Sequence, residues 1–270
     1  MKKNESKLVK YTLIAICLIF VFLFLVLPLY IVFAEAFRDG IEKYREAVTD
    51  KYTISAVLLT LEATVFAVVV NTVFGVFASW AITKFNFKGK KFLTTLIDLP
   101  VTISPIIAGL IFVLTFGRQS ILYPALQSMG IKVVFAVPGI ILATVFVTFP
   151  FISREIIPVL TVKGTDEEEA AALMGANGFQ IFTQITFPHI RWAFLYGVVL
   201  CSARAMGEFG AVSVLSGHLR GITNTMPLYI ELLYQAFDFT GAFAMSAILV
   251  VMALVILVLK NIFERGIRVK

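Results

Sequence analysis

The chain has 270 residues, 59% of them hydrophobic and 15% charged, with a mean hydropathy of +0.93. An ordinary globular chain is about 45–50% apolar and about 25% charged, so a soluble domain is excluded and an integral membrane protein is implied. The net charge of +6 resides in short runs of Lys and Arg between apolar segments, the placement that orients a membrane protein, and gives no sign of nucleic acid as a partner.

A spanning helix needs about 20 apolar residues, so the length leaves room for about five to seven spans and none for a large catalytic domain outside the membrane. The first apolar run, residues 11–34, follows a basic leader of Lys2, Lys3, Lys7 and Lys10. It is too long for the apolar region of a signal peptide and has no small-residue cleavage site, so it reads as a span. Further runs at residues 54–82, 92–116, 133–153, 190–216 and 241–262 bring the expectation to six spans. The expected fold is therefore an all-α integral membrane protein, a single unit over residues 1–270.

Charge in the connections sets the orientation. Lys84, Lys88, Lys90 and Lys91 carry four bases without an acid, whereas residues 35–51 mix five acids with four bases. Together with the basic leader and the tail Lys260, Arg265, Arg268 and Lys270, this predicts a multi-pass protein of the cell membrane. Both termini and the second and fourth connections face the cytoplasm.

The fourth connection, residues 154–191, is the longest on that side and reads as helical. Thr165 followed by Glu168 matches a capping box, and Asp166, Glu167, Glu168 and Glu169 suit the positive end of a helix dipole. That helix is expected from Asp166 to about Ala176, stopped by Asn177 and Gly178, with a second starting near Phe179 and closed by Pro188. The segment 165–188 is the expected contact with another protein. In the outer loop 217–240, a short amphipathic helix is expected over residues 228–237.

Several chemistries are absent from the sequence. There is no GxxxxGK[ST] phosphate loop, HExxH or GxSxG, and His189 and His218 fall in connections on opposite sides of the expected membrane. Cys17 and Cys201 lie in separate apolar runs and read as small buried packers, with no disulfide or metal spacing. No catalytic residue, metal ligand or bound cofactor is expected. Active transport would need energy from another chain or from an ion gradient.

The most informative segment is Glu169-Ala170-Ala171, three residues, Gly175, nine residues, then Ile185-Thr186-Phe187-Pro188. It resembles the EAA signature of ABC importer permeases, E-A-A, three residues, G, nine residues, I-x-L-P, departing only where Phe187 stands in place of Leu. Physically, Ala170, Ala171 and Gly175 leave a thin face that can enter a groove on a partner. Ile97-Asp98-Leu99-Pro100 with Ser104-Pro105, Phe146 to Pro150, Asp166 to Ala171, Ala203 to Val214 and Ser216-Gly217-His218 extend the resemblance. Across almost the whole chain they look like sulfate/thiosulfate ABC importer permeases of the CysW type; molybdate and tungstate permeases share the more general segments.

That resemblance implies a MetI-like fold with a cytoplasmic coupling helix. It also implies a heterodimer with a second, T-type permease, two cytoplasmic ATPase subunits that bind ATP and Mg, and an external sulfate-binding protein. The ATPase-coupling residues would be Asp166, Glu167, Glu168, Glu169, Ala170, Ala171, Gly175, Ile185 and Pro188. The rivals are a molybdate or tungstate permease and an ATPase-independent channel or carrier.

Ionisable and backbone-breaking residues in the spans mark the candidate pathway or gate: Pro100, Ser104, Pro105, Ser202, Arg204, Gly207, Glu208, Gly210 and Ser213. A charge at mid-span costs at least about 2.5–3.5 kcal/mol and needs a partner or a wet path. Arg204 and Glu208 stand four apart, on one helix face. Two readings stay open: a self-contained pair at a break near Gly207 and Gly210, or a face that offsets the charge of a passing dianion with hydroxyls of Ser202 or Ser213. Pro100 and Pro105 mark either a fixed kink or a gate. Glu62 reads as reaching the interface, Asn71 as bonding a neighbouring helix, and His218 and Arg220 as loop residues.

Overall fold

The computed structural model describes residues 7–268, including their side chains except those of Leu8, Lys260 and residues 262–268. Lys2, Lys3 and Lys270 lie outside the described residues, as do the side chains of Lys260, Arg265 and Arg268. Every regular element among the described residues is helical. Helices satisfy their backbone polar groups internally, which a hydrocarbon environment requires. Four helices are long and apolar enough to cross a membrane, and two bent pairs raise the number to six if each pair is one span.

The chain divides into two compact units, Met1–Asp50 with Ile230–Ile248, and Lys51–Tyr229 with Leu249–Lys270. The first contains α1 (Lys7–Val21), a π turn (Phe22–Val26), α2 (Leu27–Ala36) and the short α3 (Ile41–Thr49). The spanning stretch Val9–Ala36 buries none of its most apolar window within the chain. Cys17 is exposed, contrary to the expectation of a buried packer: α1 is apolar all round and covers none of its described side chains. In the same unit Thr240 donates to Asp39 at 2.6 Å, and Lys43 stands 3.7 Å from it.

The second unit runs α4 (Lys51–Lys84), α5 (Lys90–Thr102), α6 (Pro105–Phe116), α7 (Tyr123–Ser128), α8 (Val137–Thr148) and α9 (Pro150–Lys163). It continues through α10 (Asp166–Leu173), α11 (Gly178–Ile181), a π turn (Phe182–Thr186), α12 (Phe187–Met206) and α13 (Gly210–Ser216). The last helices, α14 (Met226–Gln235) and α15 (Phe239–Arg268), cross the boundary between units along the chain.

The 34-residue α4 is the axis of this unit. Its buried positions include Ala56, Ala63, Ala67, Gly75, Ala78 and Ser79, small residues that let neighbouring backbones approach closely. A Cβ on Gly75 would meet the Ile152 side chain at 3.0 Å. At the centre, Asn71 is fully buried and its amide donates to the Val145 carbonyl at 3.1 Å and to the Thr148 hydroxyl at 2.8 Å. Asn71 thus ties α4 to α8, a neighbouring helix.

Two expectations about the helices are corrected and a third is made definite. The run 92–116, where Pro100 and Pro105 mark a kink or a gate, breaks so that α5 and α6 meet at 109°. The break falls at Ile103-Ser104, just before Pro105, because a residue ahead of proline is driven out of the helical region. The fourth spanning helix does not stop at Ser153 but runs to Lys163. Arg154, the first residue of the expected fourth connection, lies within α9 and pairs with Asp98 of α5 at 2.6 Å. Nor does Pro188 close a helix, since the chain passes through it into α12. A proline lacks an N–H and its ring clashes with the carbonyl four residues back, and widening the preceding turn to π geometry relieves that clash. The same device precedes Pro28, where the π turn Phe22–Val26 leads into α2.

Candidate functional site

The residues marked by sequence fall at the two ends of α12. Its 20 residues set those ends about 30 Å apart at 1.5 Å per residue.

At the first end, α10 is joined to its neighbours through glycines of positive φ, Gly164 at +71° before it and Gly175 at +91° after it. The Ala176 N–H bonds the Ala171 carbonyl and the Gly175 N–H bonds the Ala172 carbonyl, both at 3.0 Å. This is the helix-ending arrangement that favours glycine. No heavy atom lies within 4 Å of where a Gly175 Cβ would stand, so backbone conformation alone calls for glycine there. The helix ends at Leu173, short of the expected Ala176.

The acidic first turn of α10 is spent on specific partners, and the expected capping box does not form. The Thr165 hydroxyl donates to the Glu169 carboxylate at 2.7 Å instead of accepting from the helix. Glu168, its expected partner, receives the Thr186 hydroxyl at 2.7 Å and the Lys84 ammonium at 3.0 Å. The His189 ring nitrogen lies 3.3 Å from a Glu167 oxygen. A true capping box forms instead at the start of α11, where Asn177 and Gln180 exchange bonds at 2.9 Å. Asn177, read from sequence as part of a stop, in fact starts α11.

Ala171 is turned into the chain, so Ala170, Ala171 and Gly175 do not make one open face. The outward face carries Asp166, Glu169 and Ala170 together with Leu173, Met174 and Phe179, the first of these 90% exposed. Sequence reading missed these three apolar residues, although their place directly around Gly175 was the available signal. Ile185, in the π turn, and Pro188, in the first turn of α12, are half-buried. Ile185 lines a small cleft with Lys84, Glu167, Glu168 and His189.

At the second end, α12 stops at Met206, and α13 leaves at an angle of 49° after Gly207, Glu208 and Phe209. The Arg204 guanidinium lies 2.7 Å from Glu208, whose side chain is 1% exposed against 33% for Arg204. The other Glu208 oxygen accepts the Ala211 N–H at 2.8 Å. Glu208 thus caps α13 while neutralising Arg204, which leaves the guanidinium half-open on one side. The Ser202 and Ser213 hydroxyls donate to carbonyls of their own helices, Val198 and Gly210, so donation to an anion requires each to rotate away.

The two bent pairs meet here. A Cβ on Gly210 would stand 3.0 Å from Pro105, and one on Gly109 would stand 2.6 Å from the Ala211 carbonyl oxygen. Pro105 and Gly210 are thereby brought together, with Arg204, Gly207, Glu208 and Ser213 close along the same chain segment. Ser104 is exposed at the bend, and Pro100 is buried one turn before it, inside α5.

The arrangement is six candidate spans, if each bent pair is one, with the short helix α10 between the fourth and fifth. The chain belongs to the family described as binding-protein-dependent transport system inner membrane component, whose model matches residues 71–269. It is 45% identical to the sulfate transport system permease protein CysW of Synechocystis sp., over 95% of this chain and 93% of that protein. To the protein of the same name from Escherichia coli K12 it is 43% identical, over 94% and 88%. The fold is similar to that of a bacterial ABC transporter involved in the import of the acidic polysaccharide alginate. There the TM-score is 0.80 at 21% identity, with 96% of each chain covered.

Proposed function

We propose that this chain is the permease subunit of an ATP-driven importer of sulfate or thiosulfate. The observation that carries the substrate is the 45% identity, over nearly the full length, to a protein named as a sulfate transport permease. In this reading residues 1–270 form one permease domain in the cell membrane, with both termini cytoplasmic. A T-type permease supplies the other half of the pathway, two cytoplasmic ATPase subunits bind ATP and Mg, and an external binding protein delivers the anion. The chain itself holds no cofactor and performs no catalysis.

The ATPase pair meets the outward face of α10 and its flanks: Asp166, Glu169 and Ala170, with Leu173, Met174 and Phe179 filling an apolar groove. A contact equally good in both ATPase states would shift nothing, so this face must fit one state better than the other. Its displacement is passed along α12 to the break at Gly207–Gly210, and the helices there change which side of the pathway is open. Pro100, Ser104 and Pro105 supply the bend that moves against Gly210. Arg204, neutralised on one side by Glu208, offers a dianion a shallow attraction, and a shallow site lets the anion leave as readily as it enters.

The test is labelled sulfate uptake in cells lacking their own sulfate permeases, with this chain expressed beside its candidate partners and omitted as the control. Uptake that needs the chain and an intact ATPase, and that yields to thiosulfate but not to molybdate, supports the reading. Preferential uptake of molybdate or tungstate overturns the substrate.

A further inference from the structure

Lys84 ends the axial helix α4, and sequence marks it only as one basic residue among four in a connection. In the fold its side chain is 7% exposed and reaches two other segments. Its ammonium lies 3.0 Å from Glu168 of α10 and donates to the Gly164 carbonyl, the C-cap of α9, at 2.6 Å. The carboxylate it meets is 17% exposed and also takes the Thr186 hydroxyl from the π turn leading into α12. One lysine thus gathers the ends of α4 and α9, the start of α10 and the approach to α12, across 80 and more positions of sequence.

The placement follows helix electrostatics. The last turns of α4 and α9 present unsatisfied carbonyls, which favour a cation, and the first turn of α10 presents unsatisfied N–H groups, which favour a carboxylate. One ion pair sits among all three ends, with the lysine bonded to the Gly164 carbonyl and each charge at the end whose dipole favours it. Apolar packing offers α10 little else, since Ala171 is its one buried residue and both of its connections turn on positive-φ glycines. Without the pair, α10 would keep Ala171 and the Glu167–His189 contact to α12 but lose its tie to α4.

We propose that the Lys84–Glu168 pair is the joint that locks the coupling helix to α4, so that displacement of α10 moves the axial helix as well as α12. Lys84 is a positioning residue that acts through Glu168 and need not touch the ATPase. The proposal rests on the ATP-coupled reading above and names a second path for the same motion. It makes α4, which carries Asn71 at the centre of the bundle, part of the moving body.

The test uses the whole complex in proteoliposomes and reads anion imported per ATP hydrolysed, normalised to assembled complex. Lys84→Met and Glu168→Gln are each expected to lower that ratio about tenfold, within the usual span of couplings between sites, while ATP is still hydrolysed. Lys84→Arg, which keeps charge and donors, is expected to restore it. Because the two residues act as one joint, the double variant Lys84→Met/Glu168→Gln should lose no more than either single variant. If Lys84→Met does not assemble, Glu168→Gln, of the same shape, carries the measurement alone. A normal ratio in the single variants that assemble, or losses that multiply in the double, overturns the joint. A wild-type complex that moves anion without ATP overturns the underlying reading instead.

Discussion

The two ends of α12 each carry an ion pair, and the pairs do different work. Arg204 and Glu208 are one helical turn apart, so their pairing is local and connects only α12 to the start of α13. Lys84 and Glu168 are distant in sequence and tie to α4 a helix, α10, whose own connections turn on glycines. The first end is polar and leaves Leu173, Met174 and Phe179 uncovered; the second is built on backbone contacts so close that only glycine fits at position 109. Under the proposed coupling, the first end is the attachment that receives the push and the tightly packed break at the second is the place that yields.

The sharpest way to break the comparison is at the second end. Arg204→Met leaves a carboxylate that is 1% exposed without its cation, and removing one partner of a buried pair costs about 3–5 kcal/mol. The expected result is a large fall in membrane abundance and in thermal stability. Arg204→Met/Glu208→Gln should recover most of the stability while altering anion uptake, which separates holding the break from serving the pathway. Gly109→Ala places a Cβ 2.6 Å from the Ala211 oxygen and should cost about 1–3 kcal/mol as α6 is forced from α13, read as a lower unfolding temperature.

At the first end the stability effects are smaller and the coupling effects larger. Gly175→Leu meets no steric obstacle, so its cost is the left-handed backbone alone, about 1–2 kcal/mol. Uptake should fall at equal abundance, and Gly175→Asn, which tolerates that conformation better, should retain more of it. Normal uptake by Gly175→Leu would contradict a role for the turn.

The smallest effect lies in the first unit. The Thr240 hydroxyl, and then the Lys43 charge, hold the Asp39 carboxyl below its ordinary range. A depressed carboxylate stabilises at pH above its unfolded pKa and loses that contribution as pH falls through the folded one. Asp39→Asn should therefore leave acid stability below the ordinary carboxylate range unchanged and lower stability slightly at neutral pH. Thermal unfolding at several pH values would show it.

Six apolar runs and the EAA spacing were legible in the sequence because lipid burial and a fixed motif both act locally. The 109° bend between α5 and α6 was only half legible: two prolines announce a disturbance, but spacing gives neither its angle nor the α13 backbone that lies against Gly109. The capping at α10 was misread because Thr165 and Glu168 have competing partners that spacing does not reveal, Glu169 for one and Lys84 with Thr186 for the other. Lys84 was invisible as a joint for the same reason. Its partners are brought to it by the fold, and a lysine after an apolar run reads as topology. Among the candidate pathway residues, Arg204 and Glu208 were visible as a pair because helical periodicity alone brings them together, whereas the meeting of Pro105 with Gly210 depends on two separate bends.

The central claim is tested most directly by measuring labelled sulfate accumulation and ATP hydrolysis together, in proteoliposomes holding this chain, a T-type permease, the ATPase pair and the binding protein. The account predicts accumulation that depends on this chain and on hydrolysis, in a fixed proportion, and that ends when the ATPase is inactivated. Sulfate flux that continues without ATP would contradict it.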